Sequence, residues 1–381
     1  MHVAINGWFW DQPFTGSGQY TRQLVTALRK LDPDLKMTVV MPPHTEASGL
    51  PAAVDVIRAT VPMSGQIGKI WFEQRAFPVA ASAAQADIAH VPYWAPPLSS
   101  PGARLVVTIH DVIPLAMPVY QSGLGARLYT SLVTAGARGA AHIITDSEFS
   151  KEEILARISG LKPDMVSAVP LATVPEMHPR IGSERDDAIR ARYNLPQDYA
   201  LYLGGFDVRK NLIALIAAWT YVKTAVGSDY ALVLAGKPPA RWGTPRFPDL
   251  PAEIRKLELE DVIQFAGPID EDDKPGVYRM ARLSIFPTIY EGFGLGPLES
   301  MACGTPVVSS DASSIPELVA DAGYLVDPSD SRKMGGAIVG AMIKDELHDH
   351  LSNQGLARAT NFSWLKTASA TRAIYQKVAA L

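Results

Sequence analysis

Short apolar runs alternate along the chain with turn-forming residues and with longer stretches whose apolar positions repeat at helical spacing. In the first half, His2–Ile5, Met37–Met41, Ile88–Val91, Leu105–Ile109, His142–Thr145 and Val166–Pro170 read as strands. In the second, Ala200–Leu203, Tyr230–Ala235, Val262–Phe265, Leu283–Phe286 and Gly323–Val326 do. Helical stretches at 19–31, at 126–137, from near Glu148, at 185–193 and from Asp330 to Leu381 fall between or after them. Strands that are apolar at successive positions, rather than at alternate ones, are buried on both faces. Their alternation with helices predicts an α/β fold whose doubly wound parallel sheets carry helices on both sides. Ligands of such sheets sit beyond the C-terminal ends of the strands, so the residues just after each run are where chemistry is sought.

A chain of 381 residues is too long for one ordinary domain and divides naturally into two. Pro170, Pro175 and Pro179 mark a shift in composition between the halves, which places the domains at 1–178 and 179–365. With 47% hydrophobic and 19% charged residues the chain reads as a globular protein with large cores, and a net charge of −4 gives no general attraction to nucleic acid. The single cysteine, Cys303, excludes an intramolecular disulfide and reads as a packed small residue, which fits a reducing, cytoplasmic setting. The apolar start at Met1–Ile5 is only strand-length before Asp11, and no run spans a bilayer. Residues 67–84 come nearest to an amphipathic surface helix, with Lys69 and Arg75 beside Trp71 and Phe72 and an expected interruption at Pro78. Core packing is their first reading, and peripheral contact with the inner face of a membrane the alternative.

The densest chemistry lies in Leu283–Ser310, LSIFPTIYEGFGLGPLESMACGTPVVSS. A strand gives way to a loop with Glu291, Gly292, Gly294 and Gly296. A helix follows, with Pro297 expected at its first position, Glu299 in its first turns and Gly304 just past its end. The helix N-terminus would offer free N–H groups to an anion or a set of hydroxyls, and the glycines would let a ligand approach the backbone. Two readings of the acids stand: a pair of ligand-facing carboxylates, or a solvated loop acid and a first-turn acid that favours the helix dipole.

Other strand ends add candidates. The loop GWFWDQPFTGSG after the first strand lacks the G-x-G-x-x-G turn, so NAD and FAD are disfavoured; Gly16-Ser17-Gly18 fits either N–H groups presented at a helix start or a flexible turn. His110 and Asp111 follow LVVTI and should open on the crevice, where a histidine is as often structural as functional; Asp111 fits either orienting the imidazole or binding an acceptor. Asp146 or Ser147 reads as the cap of the helix near Glu148. Gly204-Gly205-Phe206-Asp207-Val208-Arg209-Lys210-Asn211 pairs strand-end glycines with adjacent cations, which suits a diphosphate clamp, although an exposed basic pair is the common alternative. No D-x-D pair has metal-ligand placement, and residues 270–273 read as an acidic helix start.

These segments together resemble family-four retaining glycosyltransferases of the GT-B fold. The resemblance rests on Phe286-Pro287, Tyr290–Gly294, Pro297–Glu299 and Met301–Val307. It extends to GGFDVRKNL at 204–212, TIHDVIPL at 108–115, the segments 14–24 and 144–151, Ala266–Ile269, and Asn361–Trp364 near the end. Ala172 departs from it, standing where the family usually has a glycine. The resemblance implies two Rossmann-like domains facing across a cleft, with a C-terminal helix at about 366–381 returning to the first.

It also implies roles. Gly16, Gly18, Arg209 and Lys210 would hold the donor phosphates; Glu291, Gly292, Phe293, Gly294 and Leu295 the donor sugar; Gly267, Ile269 and Glu299 the nucleoside. His110 would act beside Glu291 at the reacting centre, and Asp111 would touch the acceptor. The implied reaction moves a sugar from a GDP- or UDP-sugar to a hydroxyl of a glycan, lipid-linked or small-molecule acceptor, without metal or cofactor. The loop EGFGL-x-PLE resembles that of bacterial mannosyltransferases and favours GDP-mannose. A nucleotide-sugar epimerase or hydrolase, or a non-catalytic nucleotide-sugar-binding protein, would use similar residues.

Overall fold

The computed structural model describes residues 1–13 and 15–381; Phe14, at the start of the resembling segment 14–24, lies outside the described residues. The chain forms two compact units, Met1–Leu171 with Ser363–Leu381, and Ala172–Phe362.

In the first unit, β1 (His2–Asn6), β2 (Lys36–Met41), β3 (Asp55–Arg58), β4 (Ile88–Val91), β5 (Arg104–Thr108), β6 (His142–Thr145) and β7 (Val166–Ala168) form one sheet. Its order is β3-β2-β1-β4-β5-β6-β7, and every pairing is parallel. In the second, β8 (Tyr199–Leu203), β9 (Ala231–Ala235), β10 (Ile263–Gly267), β11 (Leu283–Phe286), β12 (Val307–Ser310) and β13 (Tyr324–Val326) are ordered β10-β9-β8-β11-β12-β13, again all parallel. Each sheet is wound outward in both directions from a central pair, β1/β4 and β8/β11. Loops leaving such a pair diverge and open a crevice. The apolar runs form the central strands as the pattern requires, with β1, β4, β6, β11 and β12 buried along their whole length. Strand β3 was not anticipated, because as an edge strand with mostly exposed side chains it carries no apolar run to read.

Two segments of the first unit differ locally from expectation. Residues 65–83 are helical throughout, and Pro78 does not interrupt them. A π-helical turn, Phe72–Ala76, joins two α-helical parts, Gly65–Trp71 and Phe77–Ala83, and Pro78 falls at the start of the latter, where its missing N–H is tolerated. The first helix, Gly16–Leu31, begins three residues before the predicted start because the Thr15 hydroxyl caps it by accepting from Gly18 N–H at 3.1 Å.

The C-terminal helix, Trp364–Ala379, packs beside Gly16–Leu31 in the same unit. Thr367 donates to the Pro170 carbonyl at 2.7 Å, Arg372 pairs with Asp32 at 3.1 Å, and the Tyr375 hydroxyl shares a 2.7 Å hydrogen bond with His90. Burial pushes His90 down to about 3, so it stays neutral within the sheet. Among the described residues no helix is long and apolar enough to cross a membrane.

Candidate functional site

The crevice of the second sheet is built by the loops after β8 and β11, and their backbones are stitched together. Ile289 N–H donates to the Arg209 carbonyl at 2.8 Å and the Thr288 hydroxyl to the same carbonyl at 3.1 Å. Asn211, left-handed at φ 55°, spans from the first loop to the Pro287 carbonyl at 3.1 Å and the Pro328 carbonyl at 2.8 Å. This stitching brings Arg209, Lys210 and Glu291 together. One Glu291 oxygen accepts from Lys210 Nζ at 2.8 Å and from the Arg209 guanidinium, which also bonds the Tyr290 carbonyl at 3.2 Å and pairs with Asp207 at 3.2 Å. All three side chains are largely but not fully buried, at 17–20% exposure, so an entering anion can reach them. Burial favours protonation of Glu291, but Lys210 and Arg209 outweigh it and hold the carboxyl below its ordinary range. The Glu291 backbone is fixed as well. Its N–H donates to Ser313 Oγ at 3.1 Å, and the Ser314 hydroxyl bonds the carbonyls of Glu291 and Phe293, each at 2.9 Å.

The helix that follows runs Leu295–Ala302, started by Gly294 at φ 111° and stopped by Gly304 at φ 79°. Its N-cap residue, Gly294, has no side chain with which to cap the first turn, an arrangement that an anion or hydroxyl acceptor could complete. Pro297 is third in the helix rather than first, because the left-handed Gly294 sets the start two residues earlier than the proline rule suggests. Gly296 does not open the backbone to ligand: a Cβ there would meet the Phe286 ring at 2.6 Å, so the glycine serves helix packing on β11. The Phe293 ring is likewise occupied, edge-on to Phe362 at 5.9 Å. Glu299 is buried and accepts from the Tyr278 hydroxyl at 2.9 Å; burial raises its pKa against the opposing charge of Lys274. It is a buried, hydrogen-bonded acid rather than a solvated first-turn one.

At the same edge of the sheet, the β8 and β9 ends approach so closely that a Cβ on Gly236 would lie 2.0 Å from the Gly204 carbonyl oxygen. Gly267, left-handed at φ 76°, ends β10 and accepts from Gly236 N–H at 2.8 Å; Ile269 follows, half-buried. Phe206, Trp242 and Phe265 form an aromatic cluster beside these ends, with ring centres 5.6–6.1 Å apart, that the sequence pattern did not reveal. Residues 270–273 are structural: Asp273 is buried and binds Arg185 at 2.6 Å and Arg192 at 2.6 Å.

In the first unit, His110 leaves β5 and Asp146 leaves the neighbouring β6. Imidazole Nδ1 donates to Asp146 Oδ2 at 2.8 Å, and the Tyr20 ring stands edge-on to the imidazole with centres 4.8 Å apart. Nε2 has no partner among the described residues. Burial disfavours the imidazolium, but Asp146 outweighs it and raises the pKa above its ordinary value. Asp111 therefore does not orient the imidazole. It turns back on its own loop, accepting from Ile113 N–H at 3.0 Å. Asp146 is not the helix cap either, since Ser147 caps by accepting from Ser150 N–H at 3.0 Å. The Gly18 N–H is spent on Thr15, and a Cβ on Gly18 would lie 2.1 Å from the Gln12 carbonyl oxygen, so this glycine admits the folded-back loop rather than a phosphate. A Cβ on Gly16 would meet nothing.

Two family models match the chain in tandem, Glycosyltransferase Family 4 over residues 14–173 and Glycosyl transferases group 1 over residues 185–358. The O-antigen chain mannosyltransferase B of Escherichia coli is 32% identical over 274 residues, which are 72% of this chain and 70% of that protein. The chain belongs to glycosyltransferase family 4. It is an enzyme of the glycosyltransferase class, and its two Rossmann-like units are those of the GT-B fold. Sucrose-phosphate synthase from Thermosynechococcus elongatus has the same fold, with a TM-score of 0.75 at 21% identity, covering 100% of this chain and 99% of that one. The Anabaena protein HepE in complex with UDP-glucose does too, with a TM-score of 0.72 at 18% identity and 100% of both chains covered. Other Escherichia coli mannosyltransferases are longer, the chain covering 32% of one.

In this glycosyltransferase the β8/β11 crevice thus combines two cations, a carboxylate and an uncapped helix start. Sequence reasoning missed Asp146, Ser313 and Ser314. Asp146 follows β6 as His110 follows β5, a correspondence that becomes visible only once the strand register is known.

Proposed function

We propose that the chain transfers a hexosyl group, favouring mannosyl from GDP-mannose, to a hydroxyl of a glycan or lipid-linked acceptor with retention at the anomeric carbon. The observation that carries this reading is the meeting of Arg209 and Lys210 with Glu291 at the β8/β11 crevice. Two adjacent cations, one a planar fork and one a mobile point charge, suit a nucleoside diphosphate, and a carboxylate beside them suits sugar hydroxyls. Leu295 and the other first residues of its helix add N–H groups, with Gly292, Phe293 and Gly294 contributing backbone to the sugar. Gly267 and Ile269 would meet the base, and Glu299 the ribose. Gly16 is kept as a phosphate contact and Gly18 is not.

In the proposed step the acceptor oxygen forms its bond to the anomeric carbon as the carbon–phosphate oxygen bond breaks. The acceptor proton passes to the departing phosphate on the same face. Arg209 and Lys210 stabilise the charge developing on that diphosphate. Glu291, held ionised and engaged by both cations, is a weak nucleophile, which supports a binding role over a covalent one. His110, oriented by Asp146, is assigned to the reacting sugar, and Asp111 to the acceptor side. Mannosyl transfer is favoured by the mannosyltransferase relative, and a nucleotide-sugar donor by the UDP-glucose complex of the structural neighbour.

The test is a thermal-shift panel of GDP-, UDP- and dTDP-sugars, followed by incubation of the best donor with and without glycan acceptors. A shift with GDP-mannose, and product with retained configuration only when acceptor is present, supports the proposal. Rapid loss or isomerisation of donor without acceptor identifies a hydrolase or epimerase instead.

A further inference from the structure

The first sheet has its own switch point, between β1 and β4, and a charged pair lies there inside an aromatic box. Lys69 Nζ sits 3.3 Å from Glu73 Oε1 and 5.2–5.5 Å from the ring centres of Phe9, Tyr93 and Tyr129. Glu73 is completely buried, and the Tyr129 hydroxyl donates to its other oxygen at 3.1 Å. Both ends of the box belong to the diverging strands: Asn6 ends β1, and Tyr93, two residues past β4, donates to Asn6 Oδ1 at 3.1 Å. Asn6 is 1% exposed, yet its Nδ2 has no partner among the described residues.

Three physical points argue for a ligand. A buried ion pair is seldom worth more than apolar residues of the same size, so Lys69 and Glu73 are an expensive way to fill a core. Glu73 sits in the π-helical turn, a local distortion frequent at functional sites. An amide donor left unpaired in a buried position costs free energy that an incoming acceptor group would recover. The chemistry of the ligand follows. The pair is neutral overall, so it offers an anionic ligand no net attraction. Lys69 points one N–H at Glu73 and another at the Tyr129 hydroxyl at 3.5 Å, and its third is left for a ligand; flat rings match the apolar face of a sugar ring.

We propose that this corner of the first unit is the acceptor subsite and takes a neutral hexopyranoside. Lys69 and Asn6 Nδ2 donate to its hydroxyls, its apolar face lies against the aromatic box, and Glu73 and Tyr129 act as positioning residues for Lys69. The proposal rests on the glycosyl-transfer reading, and it adds residues that the family-like motifs do not include.

The test titrates the full chain with methyl α-D-mannopyranoside and with mannose 6-phosphate, following saturation-transfer NMR signals of the sugar protons. Saturable binding of the neutral sugar, weakened at least tenfold in Lys69→Met and several-fold in Tyr129→Phe but kept in Arg209→Ala, supports the subsite. Tyr129→Phe removes one hydroxyl from a half-buried ring, so the test survives if Lys69→Met does not fold. Absence of saturable neutral-sugar binding, preference for mannose 6-phosphate, or an unchanged affinity in both variants overturns it. Loss of the signal in Arg209→Ala alone also overturns it, since the sugar would then occupy the donor site. Failure of the donor reading would appear separately, as unchanged nucleotide affinity in Arg209→Ala.

Discussion

His110 and Asp146 are held Nδ1 to Oδ2 at 2.8 Å because they stand at equivalent positions on adjacent strands. Thr108 of β5 pairs in register with Ile144 of β6, so the residues two further along face each other past the sheet edge. A carboxylate can only accept, so Nδ1 carries the proton and Nε2 is left to present its lone pair or, in the imidazolium, its hydrogen.

This relationship predicts a pH response. The Asp146 interaction raises the folded-state pKa of His110, so its stabilisation is fully present below the unfolded value of about 6.5 and is lost as pH rises through the higher folded value. In Asp146→Asn the strongest raising interactions are lost while burial and the weaker influence of Asp111 remain, so the His110 titration should move downward from its wild-type position. NMR titration of the imidazole protons measures both. A titration unmoved by the substitution would remove Asp146 from its orienting role.

Gly16 and Gly18 separate a structural glycine from a permissive one. Gly18→Ala drives a Cβ against the Gln12 and Phe9 carbonyls and should cost about 1–3 kcal/mol or more, as overpacking does. Gly16→Ala meets nothing and should leave the melting temperature unchanged while weakening donor binding if a phosphate approaches there. Thermal melts with and without nucleotide decide between these outcomes.

Glu299 predicts a trade of stability against binding. Its pKa is raised in the folded chain, so its contribution is most favourable at low pH and is lost as pH rises through the raised value. Glu299→Gln removes the buried charge and keeps an acceptor for Tyr278, so its stability relative to wild type should grow between pH 5 and pH 8. Nucleoside affinity should fall in the same variant. Calorimetric melts at the two pH values and a nucleotide titration test the pair of expectations; equal nucleotide affinity would release Glu299 from the ribose.

Tyr375 predicts the worth of the C-terminal helix to the first unit. Its hydroxyl bonds buried, neutral His90, so Tyr375→Phe leaves a ring nitrogen unsatisfied and should cost about 1–3 kcal/mol in chemical denaturation. No change in unfolding midpoint would show that the Tyr375–His90 hydrogen bond adds nothing to the hold on the helix.

The central strands were legible because they are continuously apolar, and the Arg209-Lys210 and Glu291 segments because rare residue types cluster at strand ends. What the pattern could not supply depends on register or local geometry. The π-helical turn absorbs Pro78 without any signal in residue type, and β3 is too exposed to be read. Asp146 read as a cap because an Asp before a serine and a helix fits that motif; only the β5/β6 register gives it to His110. Gly296 and Gly18 show the converse: glycines that suggested ligand contact are required by the Phe286 ring and the Gln12 carbonyl.

The donor clamp is the central claim, and titration calorimetry of GDP and UDP into wild type, Arg209→Ala and Lys210→Ala tests it most directly. Either substitution should cost about 1.5–3 kcal/mol of nucleotide binding, the range for charge-assisted hydrogen bonds. Nucleotide affinity unchanged in both variants would contradict the account.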